Sequence, residues 1–243
     1  LRDYAINKKT SLTGNSIVEK IKTPRNPSFI GLSAKYEPSP EGIVATDKGE
    51  NYYDLPDARN EIKDIEQLLK AHDFKTKTIT ESTLDDFLAH YNQYYILHLS
   101  LHGILDHENP LNSYFLFSED GVKNRRLRAI DIYNLSINAR MAVLSACNTN
   151  DGVVKVGNGI TSLAYAFEYR GCPTIIASSW KANASASRKL MHYFYEFLII
   201  EKQPVDIALQ KAQLKYLDKN EGNLEPYYFG NFICIGDASP ILN

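Results

Sequence analysis

Short, continuous apolar runs alternate with amphipathic stretches along this chain of 243 residues. The runs at residues 94–101, 141–146 and 174–178 contain no Asp, Glu, Lys or Arg, as burial on both faces of a sheet requires. This alternation predicts an α/β fold in which helices cover a mainly parallel central sheet. We expect strands at residues 29–34, 76–79, 94–101, 141–146, 174–178 and 228–235 and helices at residues 55–72, 159–169, 184–200 and 205–217. We also expect a further helix capped by Ser82, and a small hairpin or excursion of residues 113–118 and 125–128.

Two of the apolar runs end in residues that can do chemistry. The run from His98 ends in His102, which Gly103 follows, and the run from Met141 leads into Cys147. A cysteine nucleophile needs a nearby imidazole to accept its proton and later to protonate the leaving amine. Reactive groups of an open parallel sheet collect at the carboxyl ends of neighbouring strands, so we expect the two side chains to meet there. A cysteine peptidase with a Cys147/His102 pair is the first hypothesis.

Other interpretations of the same residue types are weaker. His98 and His102 lie four positions apart, but on a strand this separates them by roughly 13 Å, too far to hold one metal ion. We therefore interpret His98 as a core histidine and expect no metal site. Cys172 and Cys234 lie beside or within apolar runs, as buried free cysteines usually do, whereas a polar loop follows Cys147.

Together with three further segments, the two strand-end motifs resemble the CHAT domain, a caspase-like cysteine peptidase domain related to separase. The further segments are residues 178–180, the helix at residues 190–195 and the aromatic stretch at residues 226–232. They occur in the order that the family shows, and the resemblance spans residues 29–236. It implies a caspase-like three-layer sandwich with a mainly parallel central sheet covered by helices.

The resemblance also implies roles for individual residues. Cys147 is the expected nucleophile and His102 the expected base, and the backbone N–H groups of Gly103 and Cys147 are expected to hold the oxyanion. Arginine- or lysine-directed relatives often carry an aspartate two residues before the cysteine. Ser145 occupies that position, so no preference for basic residues is expected from it. The residues expected at the substrate pocket are Ser145, Asp151, Ser178, Ser179 and Trp180.

The sequence does not single out a third member of the catalytic site. An acid or a carbonyl group that orients His102 has no fixed place in the chain, and Asp106 and Asp120 are among the candidate acids. Trp180 also has an ordinary alternative role, that of an aromatic side chain packed against the core.

Composition argues against several other classes of protein. The net charge is −2, so nucleic acid is not an expected partner. No apolar run approaches the roughly 20 residues that span a bilayer, and no signal-peptide pattern opens the chain, so we expect a cytoplasmic protein without a membrane partner. The three cysteines lack C-x-x-C spacing, which argues against a disulfide framework and a zinc knuckle. The expected chemistry requires no metal or organic cofactor.

The segment 1–27 is rich in lysine, arginine and small polar residues. We interpret it as a linker or the remnant of an upstream region, with a basic docking arm as the alternative. Residues 28–243 then form the caspase-like CHAT peptidase domain. The resemblance implies an upstream TPR region or regulatory partner that activates the peptidase. It also implies protein substrates such as gasdermin-like pore formers or targets of CRISPR-linked assemblies in bacterial defence.

Two rival functions remain open. A catalytically silent interaction or switch module with the CHAT fold would use neither reactive residue. A flavodoxin-like or Rossmann nucleotide binder fits the alternation of strands and helices. However, the Gly-Asn-Gly run at residues 157–159 lacks the third glycine and the lysine of phosphate-binding loops. The sequence does not indicate an oligomeric state.

Overall fold

A six-stranded sheet lies at the centre of the protein. The computed structural model describes residues 26–36, 44–45, 51–119, 125–148, 160–180, 183–219 and 225–242, so nearly all of the segment 1–27 lies outside it. Neighbouring strands are parallel, except that the last strand is antiparallel to its neighbour, and the prediction of a mainly parallel sheet is confirmed. In spatial order the strands are β12 (Phe232–Gly236), β11 (Thr174–Ser178), β9 (Met141–Leu144), β5 (Ile96–Ser100), β1 (Ser28–Ser33) and β4 (Lys75–Ile79).

A four-stranded second sheet begins where two of these strands leave the central sheet. One residue separates β5 from β6 (His102–Ile104), and two residues separate β9 from β10 (Cys147–Asn148). β7 (Tyr114–Leu116) and β8 (Arg126–Arg128) form an antiparallel pair, which is the hairpin of the two predicted alternatives. A separate antiparallel hairpin joins β2 (Val44–Ala45) to β3 (Asn51–Tyr52). In spatial order the strands of the second sheet are β10 (Cys147–Asn148), β6 (His102–Ile104), β7 (Tyr114–Leu116) and β8 (Arg126–Arg128).

Helices cover both faces of the central sheet. One face packs against α1 (Pro56–Lys70), α5 (Ala184–Tyr195) and α6 (Val205–Lys219). The other face packs against α2 (Leu84–His90), α3 (Ala129–Ile132), α4 (Ile160–Tyr169) and the second sheet. These layers form the caspase-like sandwich. Further helical segments are α7 (Pro226–Phe229), a 3-10 turn at Pro110–Asn112 and a π-helical turn at Glu196–Ile200 that continues α5. None of the described helices has the length and apolar character needed to cross a membrane.

The sequence of helix α1 explains where the helix begins and ends. Pro56 stands in the first turn, where an N–H is not needed, and Asp57 and Lys70 lie at the helix ends that favour their charges. The helix packs on β1 and β4, so the prediction of a helix at residues 55–72 is confirmed. Its buried stripe consists of Ala58, Ile62, Ile65 and Leu69.

The structure corrects two local predictions. Helix α2 is capped by Thr83 and not by Ser82, because the Thr83 hydroxyl accepts the Asp86 N–H while the Asp86 carboxylate accepts the Thr83 N–H. The buried Ser82 hydroxyl donates instead to the Ser33 carbonyl. The last strand starts at residue 232 and not at residue 228, because Pro226 begins the helical turn α7 immediately before it.

A buried polar triad links the central sheet to α1 and α5. His98 on β5 has its Nε2 2.8 Å from Oε1 of Glu61 and its Nδ1 3.1 Å from the hydroxyl of Tyr195. Gly31 lies beside His98 on β1, and a Cβ at Gly31 would lie 2.9 Å from the Cβ of Ile62. The missing side chain thus lets α1 approach the sheet closely enough for this contact. His98 is therefore a hydrogen-bonded core residue, as predicted.

Candidate active site

Two neighbouring strands carry His102 and Cys147 to adjacent positions. At the end of the central sheet the N–H of Ser145 still donates to the carbonyl of Leu99 across β9 and β5, at 2.9 Å. Beyond this point both strand segments leave the central sheet and pair again, in parallel, as β6 and β10. Cys147 lies opposite His102 in this pairing. Paired strands lie about 4.8 Å apart. The backbone therefore brings together the two residues that the sequence hypothesis pairs.

A backbone carbonyl holds the His102 ring. The ring is buried, and its Nε2 lies 2.7 Å from the carbonyl oxygen of Tyr53, between β3 and α1. Because a carbonyl oxygen only accepts hydrogen bonds, Nε2 carries the proton, and Nδ1 holds the lone pair of the neutral ring. The contact thus selects Nδ1 as the nitrogen that can receive a proton from a nucleophile.

The backbone of His102 is held by a second group, the hydroxyl of Tyr36. This hydroxyl accepts the N–H of His102 at 3.0 Å and donates to the carbonyl of Leu116 on β7 at 2.7 Å. The Tyr36 ring also lies against the His102 ring, with 4.6 Å between the ring centroids. Burial raises the pKa of Tyr36 well above its usual value, so the hydroxyl stays protonated and keeps both hydrogen bonds at any ordinary pH.

Gly103 lies at a close approach between β6 and the residue before Cys147. A Cβ at position 103 would lie 3.0 Å from the Cβ of Ala146, a tighter contact than side chains normally make. The missing side chain therefore allows the two strands to come together at this point. It keeps the backbone of Gly103 beside Cys147, where the sequence analysis expects an oxyanion donor.

Ser178 at the end of β11 contacts the backbone just before Cys147. Its buried hydroxyl donates a hydrogen bond to the carbonyl of Ala146. Ser145 is buried as well, and its N–H is bonded to Leu99. Both serines therefore restrain the short segment that connects β9 to β10.

Under the peptidase hypothesis, removing the Ser178 hydroxyl is expected to slow peptide cleavage about tenfold, because small displacements of a reacting group have large effects on rate. Ser178→Ala should also lower the free energy of unfolding by about 1 kcal/mol through the lost hydrogen bond. Steady-state kinetics and urea unfolding measure the two effects. Ser187 on α5 is the matched control, since it is buried and its hydroxyl has no hydrogen-bond partner among the described residues. If Ser187→Ala slows cleavage as much as Ser178→Ala, the role of Ser178 is refuted.

The segment after β11 is tied to the start of the last strand. The N–H of Ser179 donates to the carbonyl of Asn231 at 2.6 Å, and Nε1–H of Trp180 donates to the carbonyl of Tyr227 at 3.3 Å. Ser179 is exposed, and Trp180 is half-buried and anchored to α7. Asn231 is buried, and its side-chain amide has no hydrogen-bond partner in the part of the chain that the structure describes. The sequence analysis did not single out this polar group.

Asp106, one of the two candidate acids for orienting His102, does not take the position of the Tyr53 carbonyl. Asp106 closes its own turn, because its Oδ1 accepts the N–H groups of Glu108 and Asn109. Asp120 and Asp151 lie outside the described residues, as does the Gly-Asn-Gly run at residues 157–159. Every residue has a backbone carbonyl, so no feature of the sequence predicts that the carbonyl of Tyr53 contacts His102.

The other two cysteines are poor nucleophiles. Burial raises the pKa of the Cys172 thiol to about 12. Burial, aided by the carboxylates of Asp206 and Asp237, raises the pKa of the half-buried Cys234 thiol to about 11. Both thiols are therefore protonated near neutral pH and are expected to react slowly. Within the described ranges, no group of three or more His, Cys, Asp or Glu residues is placed to hold a metal ion.

The sequence profile of the CHAT domain matches residues 4–237, which is nearly the whole chain. The chain belongs to the CHAT domain family. This match confirms the resemblance that the strand-end motifs indicate. No curated protein matches this CHAT domain.

Several solved structures share the fold of this CHAT domain. The Arg-specific cysteine proteinase gingipain R is 14% identical, with a TM-score of 0.53 over 91% of this chain and 48% of the gingipain chain. The complex of Porphyromonas gingivalis RgpB pro- and mature domains matches at 16% identity and a TM-score of 0.53, over 91% of this chain and 49% of that chain. Caspase-1 from Spodoptera frugiperda is 10% identical, with a TM-score of 0.51 over 88% of this chain and 87% of the caspase. The CHAT domain thus has a caspase-like fold and spans about half the length of the gingipain chains it matches.

Proposed function

We propose that this CHAT domain is a cysteine endopeptidase that cleaves a peptide bond in a protein partner. One observation carries the proposal: Cys147 lies opposite His102 on paired strands, and the His102 ring is held with Nδ1 as its proton acceptor. Membership of the CHAT family and the fold shared with gingipain R and caspase-1 support it. A silent interaction module would need neither the pairing nor the oriented ring.

The arrangement suggests a conventional thiol mechanism. Nδ1 of His102 takes the proton of the Cys147 thiol, and the thiolate attacks the carbonyl carbon of the substrate. The backbone N–H groups of Gly103 and Cys147 stabilise the oxyanion, and the imidazolium protonates the leaving amine as the C–N bond breaks. Water, deprotonated by His102, then attacks the thioester. This step releases the acid product and returns the thiol, and no metal or organic cofactor takes part.

The substrate is sought by comparing two forms of the protein. The wild-type chain and Cys147→Ala are each incubated with cellular protein, and newly formed amino termini are sequenced. New termini that appear only with the wild type, at a recurring residue pattern, are the expected result. A wild-type profile identical to that of Cys147→Ala contradicts the peptidase and favours the silent interaction module.

Basic residues before the cleaved bond are not expected to be required. The Arg-specific gingipain shares the fold, but this chain has Ser145 and no carboxylate two residues before Cys147. We therefore expect peptides that differ only in that substrate residue to show no dominant preference for arginine or lysine. Their kcat/KM values measure the effect. A preference of about a hundredfold would contradict the expectation, and loss of that preference in Asp151→Ala would assign the pocket to Asp151.

The proposal extends to control by a partner. A permanently active thiol protease would damage its cell, so we propose that an upstream TPR region or another regulatory partner activates the domain. Gasdermin-like proteins and targets of CRISPR-linked assemblies are the substrates to examine first, in a bacterial defence setting. An isolated domain that cleaves its substrate as fast as the assembled complex refutes this control.

A further inference from the structure

Two residues, Tyr53 and Tyr36, hold His102, and the carboxylate of Asp54 connects them. The Tyr53 carbonyl accepts the ring Nε2–H at 2.7 Å, and the Tyr36 hydroxyl accepts the backbone N–H at 3.0 Å. Asp54 follows Tyr53 in the chain, and its Oδ1 accepts the N–H of Tyr36 at 3.2 Å. The contacts therefore close a ring that runs from His102 through Tyr53, Asp54 and Tyr36 back to His102.

Arg59 holds the carboxylate of Asp54 in place. Its Nη1 and Nη2 lie 2.5 Å from Oδ1 and Oδ2 of Asp54, a bidentate pairing that fixes the carboxylate plane. Nη1 also donates to the carbonyl of Ala34 at 3.2 Å, which ties the pair to the chain just after β1. Asp54 is thus fixed to the first turn of α1 and to the end of β1.

Among the described residues, the segment around Tyr53 is restrained on both sides, because β3 before it pairs with β2 and Leu55 after it packs against the core. The Tyr53 side chain is largely exposed, so packing does not hold it. Leu55 stands at the N-cap of α1, where it makes no side-chain capping hydrogen bond. The carboxylate of Asp54 adds the polar contacts that join this segment to Tyr36 and to Arg59.

We propose that Asp54, braced by Arg59, is a positioning residue that holds both the ring and the backbone of His102 in the reactive arrangement. The role rests on the proposed peptidase function. Asp54 touches neither the substrate nor the reacting atoms, and it acts only through Tyr53 and Tyr36. Without it, the Tyr53 carbonyl moves away from Nε2, and the ring is free to turn or to change its tautomer.

The first test observes the His102 ring directly by NMR. A buried, hydrogen-bonded Nε2–H exchanges slowly with water and gives a resolved proton–nitrogen signal, which His102→Gln identifies by its loss. We expect the signal in the wild type and its loss in Asp54→Ala. Asp54→Asn should rescue it in part, because the Asn oxygen still accepts the N–H of Tyr36. Arg59→Lys should weaken the signal, because lysine cannot form the bidentate pair.

The matched control is Asp64→Ala. Asp64 also lies on α1 and pairs with an arginine, Arg188, and its side chain is 33% exposed, against 32% for Asp54. That pair joins α1 to α5 and not to the segment before α1. The Nε2–H signal should therefore survive in Asp64→Ala.

The second test measures cleavage in the same variants. We expect Asp54→Ala to lower kcat about 10- to 100-fold with little change in KM, and Asp64→Ala to leave both unchanged. A folded Asp54→Ala or Arg59→Lys protein that keeps the wild-type Nε2–H signal overturns the positioning role, whatever its activity. Failure of the peptidase proposal would instead appear as unchanged cleavage in Cys147→Ala, so the two failures are distinct.

Discussion

Replacing Cys147 with alanine is expected to lower kcat/KM about a thousandfold or more, to the level of the background. The reason is that the thiolate alone forms the covalent bond to the substrate. His102→Ala should cost a comparable factor, because an unassisted thiol is mostly protonated at neutral pH. Kinetics on a peptide that spans an identified cleavage site measure both losses.

The double variant and the remaining cysteines provide the controls. Cys147→Ala combined with His102→Ala should be no slower than either single variant, since the two residues act as one unit. Cys172→Ala should keep its activity while losing roughly 1–3 kcal/mol of unfolding free energy, because it leaves a small cavity in the core. Loss of activity in a stably folded Cys172→Ala or Cys234→Ala protein would contradict the assignment of Cys147 as nucleophile.

Breaking the buried triad is expected to have the largest effect on stability. Glu61 and His98 are almost fully buried, with 2.8 Å between Oε1 of Glu61 and Nε2 of His98. Removing either side chain leaves the facing polar atom of the other without this contact inside the core. Glu61→Ala or His98→Ala should therefore lower the free energy of unfolding by about 3–5 kcal/mol. Tyr195→Phe removes only one hydrogen bond to His98 and should cost about 1 kcal/mol. Urea unfolding measures all three.

Two controls test whether the loss of unfolding free energy comes from a buried polar group left without its partner. One is an exposed ion pair and the other is a double replacement of the buried pair. Glu201 pairs with Lys211 at 2.8 Å, but both side chains are well exposed, so Glu201→Ala should cost about 1 kcal/mol or less. Glu61→Leu combined with His98→Leu should cost less than the sum of the single changes, because no polar group of the pair is then left unpaired. If Glu61→Ala and His98→Ala each lower the free energy of unfolding by less than about 1 kcal/mol, the stabilising role of the buried triad is contradicted.

The sequence predicts the sheet well because the signal for a buried strand is local. Residues 96–100 and 174–178 form strands inside runs that contain no charged side chain. The sequence predicts that Cys147 and His102 meet at neighbouring strand ends. Their register on β10 and β6 follows from the parallel pairing of β9 with β5 in the structure. Residues 145–146 were expected to continue the strand. In the structure the chain leaves the central sheet after Leu144, and no residue type at these positions predicts that the strand ends there.

The parts of the site that sequence reasoning did not find depend on long-range contacts. Tyr53 offers its backbone carbonyl to a histidine 49 residues later in the chain, and any residue type has such a carbonyl. Ser82 and Thr83 are both ordinary capping residues, and only the contact of Ser82 with Ser33 decides that Thr83 caps α2. In both cases the tertiary fold determines which of several equivalent groups is used.

The most direct test of the Cys147/His102 pair is the rate at which each cysteine of the intact chain reacts with iodoacetamide at pH 6, followed by mass spectrometry. A histidine-paired cysteine holds more thiolate at this pH than an ordinary one, so Cys147 should react roughly a hundredfold faster in the wild type than in His102→Ala. The rate at Cys234, whose thiol pKa burial raises to about 11, should be the same in both proteins and lower than the rate at Cys147 in the wild type. Equal rates at Cys147 and Cys234 in the wild type, or an unchanged rate at Cys147 in His102→Ala, would contradict the account.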